Sequence, residues 1–259
     1  MMRLFMEIHS GNPREGPGDD ESTLRALRMI TGLPEFPSHP DILDVGCGPG
    51  MQTLALVRAT GGMVTAVDIF PQFLEQLEHS ATELDQNDPT GRVGGRIRTV
   101  RASMFELPFE PESFDLIWSE GAVYIMGFEN GLREWGKFLR KGGAIAVSQI
   151  SWLRENVDVE QKELYDWWME HCSDIRQVGE NLQIIESLGY EVLGHFTLPE
   201  SAWEDGYYAS LVQGIERVRK DHPGEKKAEE VIRMEREEQE LYRTYSDWYG
   251  YEFYVMRKP

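Results

Sequence analysis

Two rhythms of apolar residues alternate along the chain from residue 40 onward. Short, nearly continuous apolar runs fall at Asp41–Val45 (DILDV), Val64–Ile69 (VTAVDI), Ile97–Ala102, Phe114–Trp118 (FDLIW) and Gly143–Ile150 (GAIAVSQI). Their length and β-branched content predict buried strands. Between them, Met51–Ala59, Pro71–Asp85 and Glu129–Leu139 carry the three-and-four spacing of helices. Pro71 suits a helix start, where its missing N–H costs nothing. Strands alternating with helices in this way predict a mostly parallel sheet with helices on both faces.

The flanks read differently. The first forty residues are polar and rich in Gly and Pro, apart from a helical stretch at Ser22–Ile30. Beyond residue 150 the pattern predicts two helices, a strand near Tyr190–Leu198, two more helices, and Tyr251–Met256 (YEFYVM) as an edge strand. Glu225–Glu240 is charge-dense and reads as a solvated helix face, with Glu229 four residues before Arg233 for mutual support.

One turn carries the chemistry. Asp44-Val45-Gly46-Cys47-Gly48-Pro49-Gly50 follows the first strand and opens the first helix of the alternating region. Glycines there let a ligand approach the backbone, and the helix amides behind them face it. The second strand ends in Asp68, whose carboxylate can accept from ribose hydroxyls. The dinucleotide fingerprint would place a third glycine at Met51, and no Gly-Lys-Ser/Thr follows for phosphate. A nicotinamide-dependent oxidoreductase is therefore the weaker alternative.

With its later Leu107-Pro108-Phe109, Phe114-Asp115-Leu116-Ile117 and Gly142-Gly143, the chain resembles the class I S-adenosylmethionine-dependent methyltransferases. Arg14-Glu15-Gly16-Pro17-Gly18, Trp118 to Tyr124 and Leu198-Pro199-Glu200 are similar to marks of a bacterial small-molecule group within it. The resemblance implies a Rossmann-like α/β sheet with an antiparallel last strand and helical cap elements. It implies one domain: an N-terminal cap over 1–40, a cofactor-binding core over 41–150, and further strands with a substrate cap over 151–259. The implied cofactor is S-adenosylmethionine, with its methyl group passed in line to a small molecule. A non-catalytic S-adenosylmethionine-binding protein on the same fold is the other alternative.

Roles follow residue by residue from the resemblance. Asp44, Gly46 and Gly48 hold the methionine end, with Arg14 and Gly16 near it. Asp68 holds the ribose, Ile69 packs on the adenine, and Ser103 and Met104 border it. Ser103 stands where the family more often has Asp, so it would accept from the adenine amino group less strongly. Glu120 lies by the methyl donor. Glu120 and Tyr124 are the candidates for positioning an acceptor or taking its proton.

Composition narrows the partners. A net charge of −19 and a pI near 4.7 disfavour nucleic acid and anionic membranes. Cys47 and Cys172 show no paired spacing, and the six histidines show no ligand spacing, so neither a disulfide nor a metal site is expected. A cytoplasmic location follows, and a homodimer stays open. Nine of the ten tyrosines and five of the seven tryptophans lie after residue 150. Trp152, Trp203 and Tyr207, together with Tyr124, either wall a substrate pocket or form aromatic core. We expect the segment before residue 40 and this aromatic region to close over the same side of the sheet.

Overall fold

The computed structural model describes residues 1–33, 35–87 and 93–259. In chain order the elements are α1 (Met2–His9), α2 (Asp20–Thr31), β1 (Asp41–Val45), α3 (Met51–Thr60), β2 (Met63–Asp68), α4 (Pro71–Asn87), β3 (Ile97–Arg101), β4 (Phe114–Glu120) and α5 (Phe128–Trp135). There follow β5 (Leu139–Trp152), α6 (Val157–Glu160), α7 (Lys162–His171), β6 (Arg176–Gln177), α8 (Val178–Ser187) and β7 (Glu191–Thr197). A π-helical segment at Ala202–Tyr208 leads into α9 (Ala209–Asp221), α10 (Lys226–Tyr245) and β8 (Tyr249–Arg257).

The eight strands form one sheet in the order β3-β2-β1-β4-β5-β8-β7, with short β6 beside β5. Strands β1 to β5 pair in parallel, while β8 runs antiparallel to both neighbours. The order reverses between β1 and β4, which is where open α/β sheets leave a crevice at the strands' carboxyl ends. Alternate residues serve opposite faces. Ile42, Leu116 and Trp118 pack with Leu27, Ile30 and Leu54 on one side. Leu43, Ile117 and Ile145 pack with Phe128, Leu132 and Trp135 on the other. Burial on both faces explains why these strands read as continuous apolar runs.

Two expectations change. Tyr251–Met256 belongs to β8, which is an interior strand; β3 and β7 form the edges. The charge at Glu252 is tolerated inside because its oxygens accept from His195 and Thr197 of β7, each at 2.6 Å. The helix expected to reach Leu139 stops at Trp135, and β5 begins at Leu139. In α10, Arg233 pairs with Glu237. That helix is only half solvated: Val231, Ile232, Glu235 and Tyr242 are buried.

A third core lies beyond the strand ends. Leu4 and Ile8 of α1 enter it with Trp203, Tyr208, Leu211 and Ile215. The first helix was not expected from the sequence. It is held by close backbone approach: a Cβ on Gly214 would come 1.8 Å from the carbonyl oxygen of Ile8. Among the described residues no helix is long and apolar enough to cross a membrane. Cys47 and Cys172 are both free thiols.

Gly214→Ala tests that seating. On an open helix the change would stabilise by about 1 kcal/mol through propensity. Against Ile8 it should instead destabilise by about 1–3 kcal/mol, read by denaturant unfolding, because α1 must move.

Candidate active site

The crevice at the β1/β4 switch opens into a cavity of about 460 Å³. Its floor is the glycine turn. Gly46 has φ +70°, and a Cβ there would fall 2.7 Å from the Cβ of Ala122, so only glycine lets β4's loop come so close. The Gly46 and Cys47 amides both donate to the carbonyl of Val67, at 2.9 and 3.0 Å. Asp68, at the end of β2, accepts from the Gly48 amide with one oxygen and from the Phe70 amide with the other, both at 2.9 Å. Burial raises its pKa against those two donors. A carboxylate oxygen can accept more than one hydrogen bond, and Asp68 is part of the cavity lining.

Adjacent walls are apolar. Ile69 and Phe105 are 52% and 58% exposed, an unusual exposure for such residues, and both face the cavity with Phe70, Met104 and Ser103. Ser103 Oγ accepts from the Phe105 amide at 3.3 Å. Tyr124 and Ile125 form the far wall. Desolvation raises the Tyr124 phenol above its ordinary value, so it stays neutral near pH 7, although part of the ring remains open to the cavity.

The roof comes from the N-terminal segment: Phe5 and Met6 of α1, then Arg14 to Pro17. Arg14 is fastened to the end of β4 by a 2.7 Å ion pair with Glu120, both side chains 8% exposed. Trp118 and Glu120 are two apart on β4 and share a face, so the indole N–H reaches Glu120 at 2.9 Å. The Thr23 hydroxyl of α2 donates to the same oxygen at 2.7 Å. Arg14 also donates to Asp20 at 2.8 Å. Helix α2 is started by the Asp19 side chain accepting from the Ser22 amide.

Asp44 lies behind the floor and is not part of the lining. It is fully buried and accepts from Thr53 at 2.5 Å and Gln52 at 3.3 Å, leaving its other oxygen without a partner. Burial raises its pKa to about 7 despite the Thr53 hydrogen bond. The expected residues Arg14, Gly16, Gly46, Gly48, Asp68, Ile69, Ser103, Met104, Glu120 and Tyr124 all line the one cavity. Trp152, Trp203 and Tyr207 do not line it; they are 2–5% exposed in the third core. Their area is spent on carrying α1, so of the two regions expected to close the site, the N-terminal one supplies the roof and the aromatic one its support. Sequence reasoning passed over Phe5, Met6, Glu15 and Gln52. The spacing of Leu4, Phe5, Ile8 and His9 was the available signal for the roof helix.

Residues 43–147 match the family model described as a methyltransferase domain. Over those residues the chain is similar to the methyltransferase domain family, and its fold is the Rossmann-like one of the class I methyltransferases. It is 24% identical over 192 residues to 27-O-demethylrifamycin SV methyltransferase of Amycolatopsis mediterranei, covering 71% of this chain and 65% of that one. It is 27% identical over 172 residues to sterol 24-C-methyltransferase ERG6B of Gibberella zeae, covering 64% of this chain and 42% of that one. The chain thus spans less than two thirds of the length of these relatives. A Geobacter sulfurreducens methyltransferase solved with S-adenosyl-L-homocysteine shares the fold over 99% of this chain and 98% of its own, with TM-score 0.80 and 21% identity.

The roof contains a titrating group, so its stability should depend on pH. His9, 1% exposed, lies 3.0 Å from Glu15 and 3.4 Å from Glu235. Burial opposes its charged form, but the hydrogen bonds to the two carboxylates prevail and raise its pKa from 6.5 to about 9. Glu15 is itself pushed up, since burial outweighs the His9 hydrogen bond; the proton stays on His9. A raised folded-state pKa means the stabilisation is complete below pH 6.5 and lost as pH rises through 9. Amide exchange in residues 3–16, corrected for its intrinsic pH dependence, should accelerate between pH 8 and 10. In His9→Gln that step should be missing.

Proposed function

We propose that the cavity binds S-adenosylmethionine and that the protein transfers its methyl group to a small-molecule acceptor. The observation that carries this reading is the meeting of the Gly46–Gly48 turn and Asp68 in one cavity with apolar walls beside them. The residues fit the cofactor. Asp68 keeps lone pairs for two ribose hydroxyls, Ile69 offers an apolar face for adenine, and Ser103 and Met104 border that face. Gly46 and Gly48 leave backbone exposed for the methionine end, with Arg14 and Gly16 above and Asp44 tuning the turn from behind. Residues 1–40, 41–150 and 151–259 act as one unit in this reading: roof, floor, and support with acceptor pocket.

When bound, the cofactor supplies an electrophilic methyl carbon and a neutral thioether leaving group. The chain's task is then to orient an acceptor and keep water out. Glu120 performs the second part. Three donors hold its two oxygens, so it serves as the fastening for Arg14 and the roof rather than as a base. Tyr124, neutral at pH 7, orients an acceptor through its hydroxyl.

Two measurements check the proposal. S-adenosylhomocysteine should raise the melting temperature and NAD should not, because only a ligand of the native state stabilises it; equal shifts would defeat the reading. Asp68→Ala should weaken S-adenosylhomocysteine binding by about 1.5–3 kcal/mol in a calorimetric titration, with the fold retained. Unchanged affinity would remove Asp68 from the ribose site.

A further inference from the structure

Four residues of the cavity lining, Phe5, Met6, Tyr124 and Ile125, hold no part of the cofactor in the reading above. Local folding puts them there. After Gly121 the chain makes a short helical turn, Val123–Ile125. The Ile125 amide donates to the Ala122 carbonyl and the Met126 amide to the Val123 carbonyl, both at 3.1 Å. Val123 and Met126 pack into the core with Phe128 and Leu132. Tyr124 and Ile125 are thereby turned outward, 38% and 51% exposed, onto the cavity. Helix α1 does the same: Leu4 and Ile8 are drawn into the third core, which leaves Phe5 and Met6 on the lining. Residues after 150 back both walls. The third core carries α1, and a Cβ on Gly121 would stand 3.8 Å from the Tyr251 hydroxyl. Large apolar side chains left this open on two elements mark a surface meant to be covered.

The charged groups of the same cavity are already engaged. Arg14 and Glu120 hold each other at 2.7 Å, and the second Glu120 oxygen accepts from Thr23 and Trp118. Glu15 Oε2 stands 3.0 Å from His9 Nδ1, while its Oε1, without a partner, is buried away from the open space. Both Asp68 oxygens accept backbone amides, and the donor reading gives their remaining capacity to the ribose. Gln52 donates to Asp44 and to the Cys47 carbonyl, and Ser103 accepts from the Phe105 amide. The Tyr124 hydroxyl differs from all of these: it has no hydrogen-bond partner among the described residues. One free hydrogen-bonding group thus stands among apolar side chains, the arrangement by which pockets fix the orientation of an apolar ligand. A charged molecule drawn in beside Phe5, Met6 and Ile125 would lose its hydration and meet no free counter-charge. The net charge of −19 further repels anions from the mouth.

We propose that the methyl acceptor is an uncharged, largely apolar molecule that lies against Phe5, Met6 and Ile125 and hydrogen-bonds the Tyr124 hydroxyl through a hydroxyl of its own. The inference rests on the donor reading above. Phe5, Met6 and Ile125 supply affinity by removing the acceptor's apolar body from water. Tyr124 supplies orientation, since its one hydrogen bond fixes which end of the acceptor lies at the turn after β4.

The test uses the full chain saturated with S-adenosylhomocysteine. Calorimetric affinity is measured for two sets of probes, each with one body and a neutral, a cationic and an anionic member: para-propylphenol, tyramine and para-hydroxyphenylpropionate; hexanol, hexylammonium and hexanoate. In at least one set the neutral member should bind, and both charged members should bind roughly tenfold or more weakly. Tyr124→Phe should weaken the neutral probe roughly three- to tenfold, the loss of one hydrogen bond. Ile125→Asp should weaken it roughly tenfold and bring the ammonium member of its set level with it or past it. Both side chains are exposed, so each variant should melt near the wild type and keep its affinity for S-adenosylhomocysteine. The charge series on the wild type stands without either variant. The proposal is overturned if no neutral member binds, if a charged member binds as tightly as its neutral partner, or if either folded variant binds the neutral probe as the wild type does. If S-adenosylhomocysteine itself fails to bind the wild type, it is the donor reading that falls, and this inference falls with it.

Discussion

The buried ion pair between Arg14 and Glu120 is the contact on which the site depends. Taking both charges out of water is expensive, and their attraction offsets it only with good geometry and further hydrogen bonds. Those are present: Thr23 and Trp118 reach Glu120, and Asp20 reaches Arg14. Thr23 and Asp20 lie on α2 and Trp118 on β4, so one guanidinium joins the N-terminal segment to α2 and to the end of β4. Removing either partner would strand a buried charge, at a cost of about 3–5 kcal/mol. A pair this sensitive gives little net stability, but it defines where residues 14–17 lie over the glycine turn.

The roof needs a second fastening, because one ion pair cannot orient a helix. Packing supplies it. Leu4 and Ile8 enter the aromatic core, the Ile8 carbonyl rests against Gly214, and the Gly18 amide donates to the Ala202 carbonyl at 3.2 Å. The π-helical segment at Ala202–Tyr208 provides that carbonyl, and it brings Trp203 face to face with Tyr242 at 3.9 Å. The aromatic residues therefore serve the site at one remove. They hold the helix that covers the cavity.

Much of the floor was legible in the sequence. Strands β1 to β5 announce themselves by burial on both faces, and the glycine turn and Asp68 fall at consecutive strand ends, where topology must bring them together. The rest required three dimensions. Helix α1 has eight residues and is followed by polar, Gly-rich chain, whose composition masked its apolar positions Leu4, Phe5 and Ile8. The interior position of β8 was hidden by Glu252, whose charge is satisfied only by His195 and Thr197 of another strand. Trp152, Trp203 and Tyr207 could wall a pocket or fill a core with the same sequence signal, and packing alone decides. The role of Glu120 as a fastening depends on Arg14, 106 residues away along the chain.

The central claim is that the N-terminal segment completes the donor site rather than merely flanking it. Hydrogen–deuterium exchange of the full chain, with and without saturating S-adenosylhomocysteine at pH 7, measures this directly. The account predicts that amides of residues 3–18 gain protection on binding together with those of residues 46–50 and 68–70. Protection confined to the glycine turn and the Asp68 loop, with residues 3–18 exchanging as before, would contradict it.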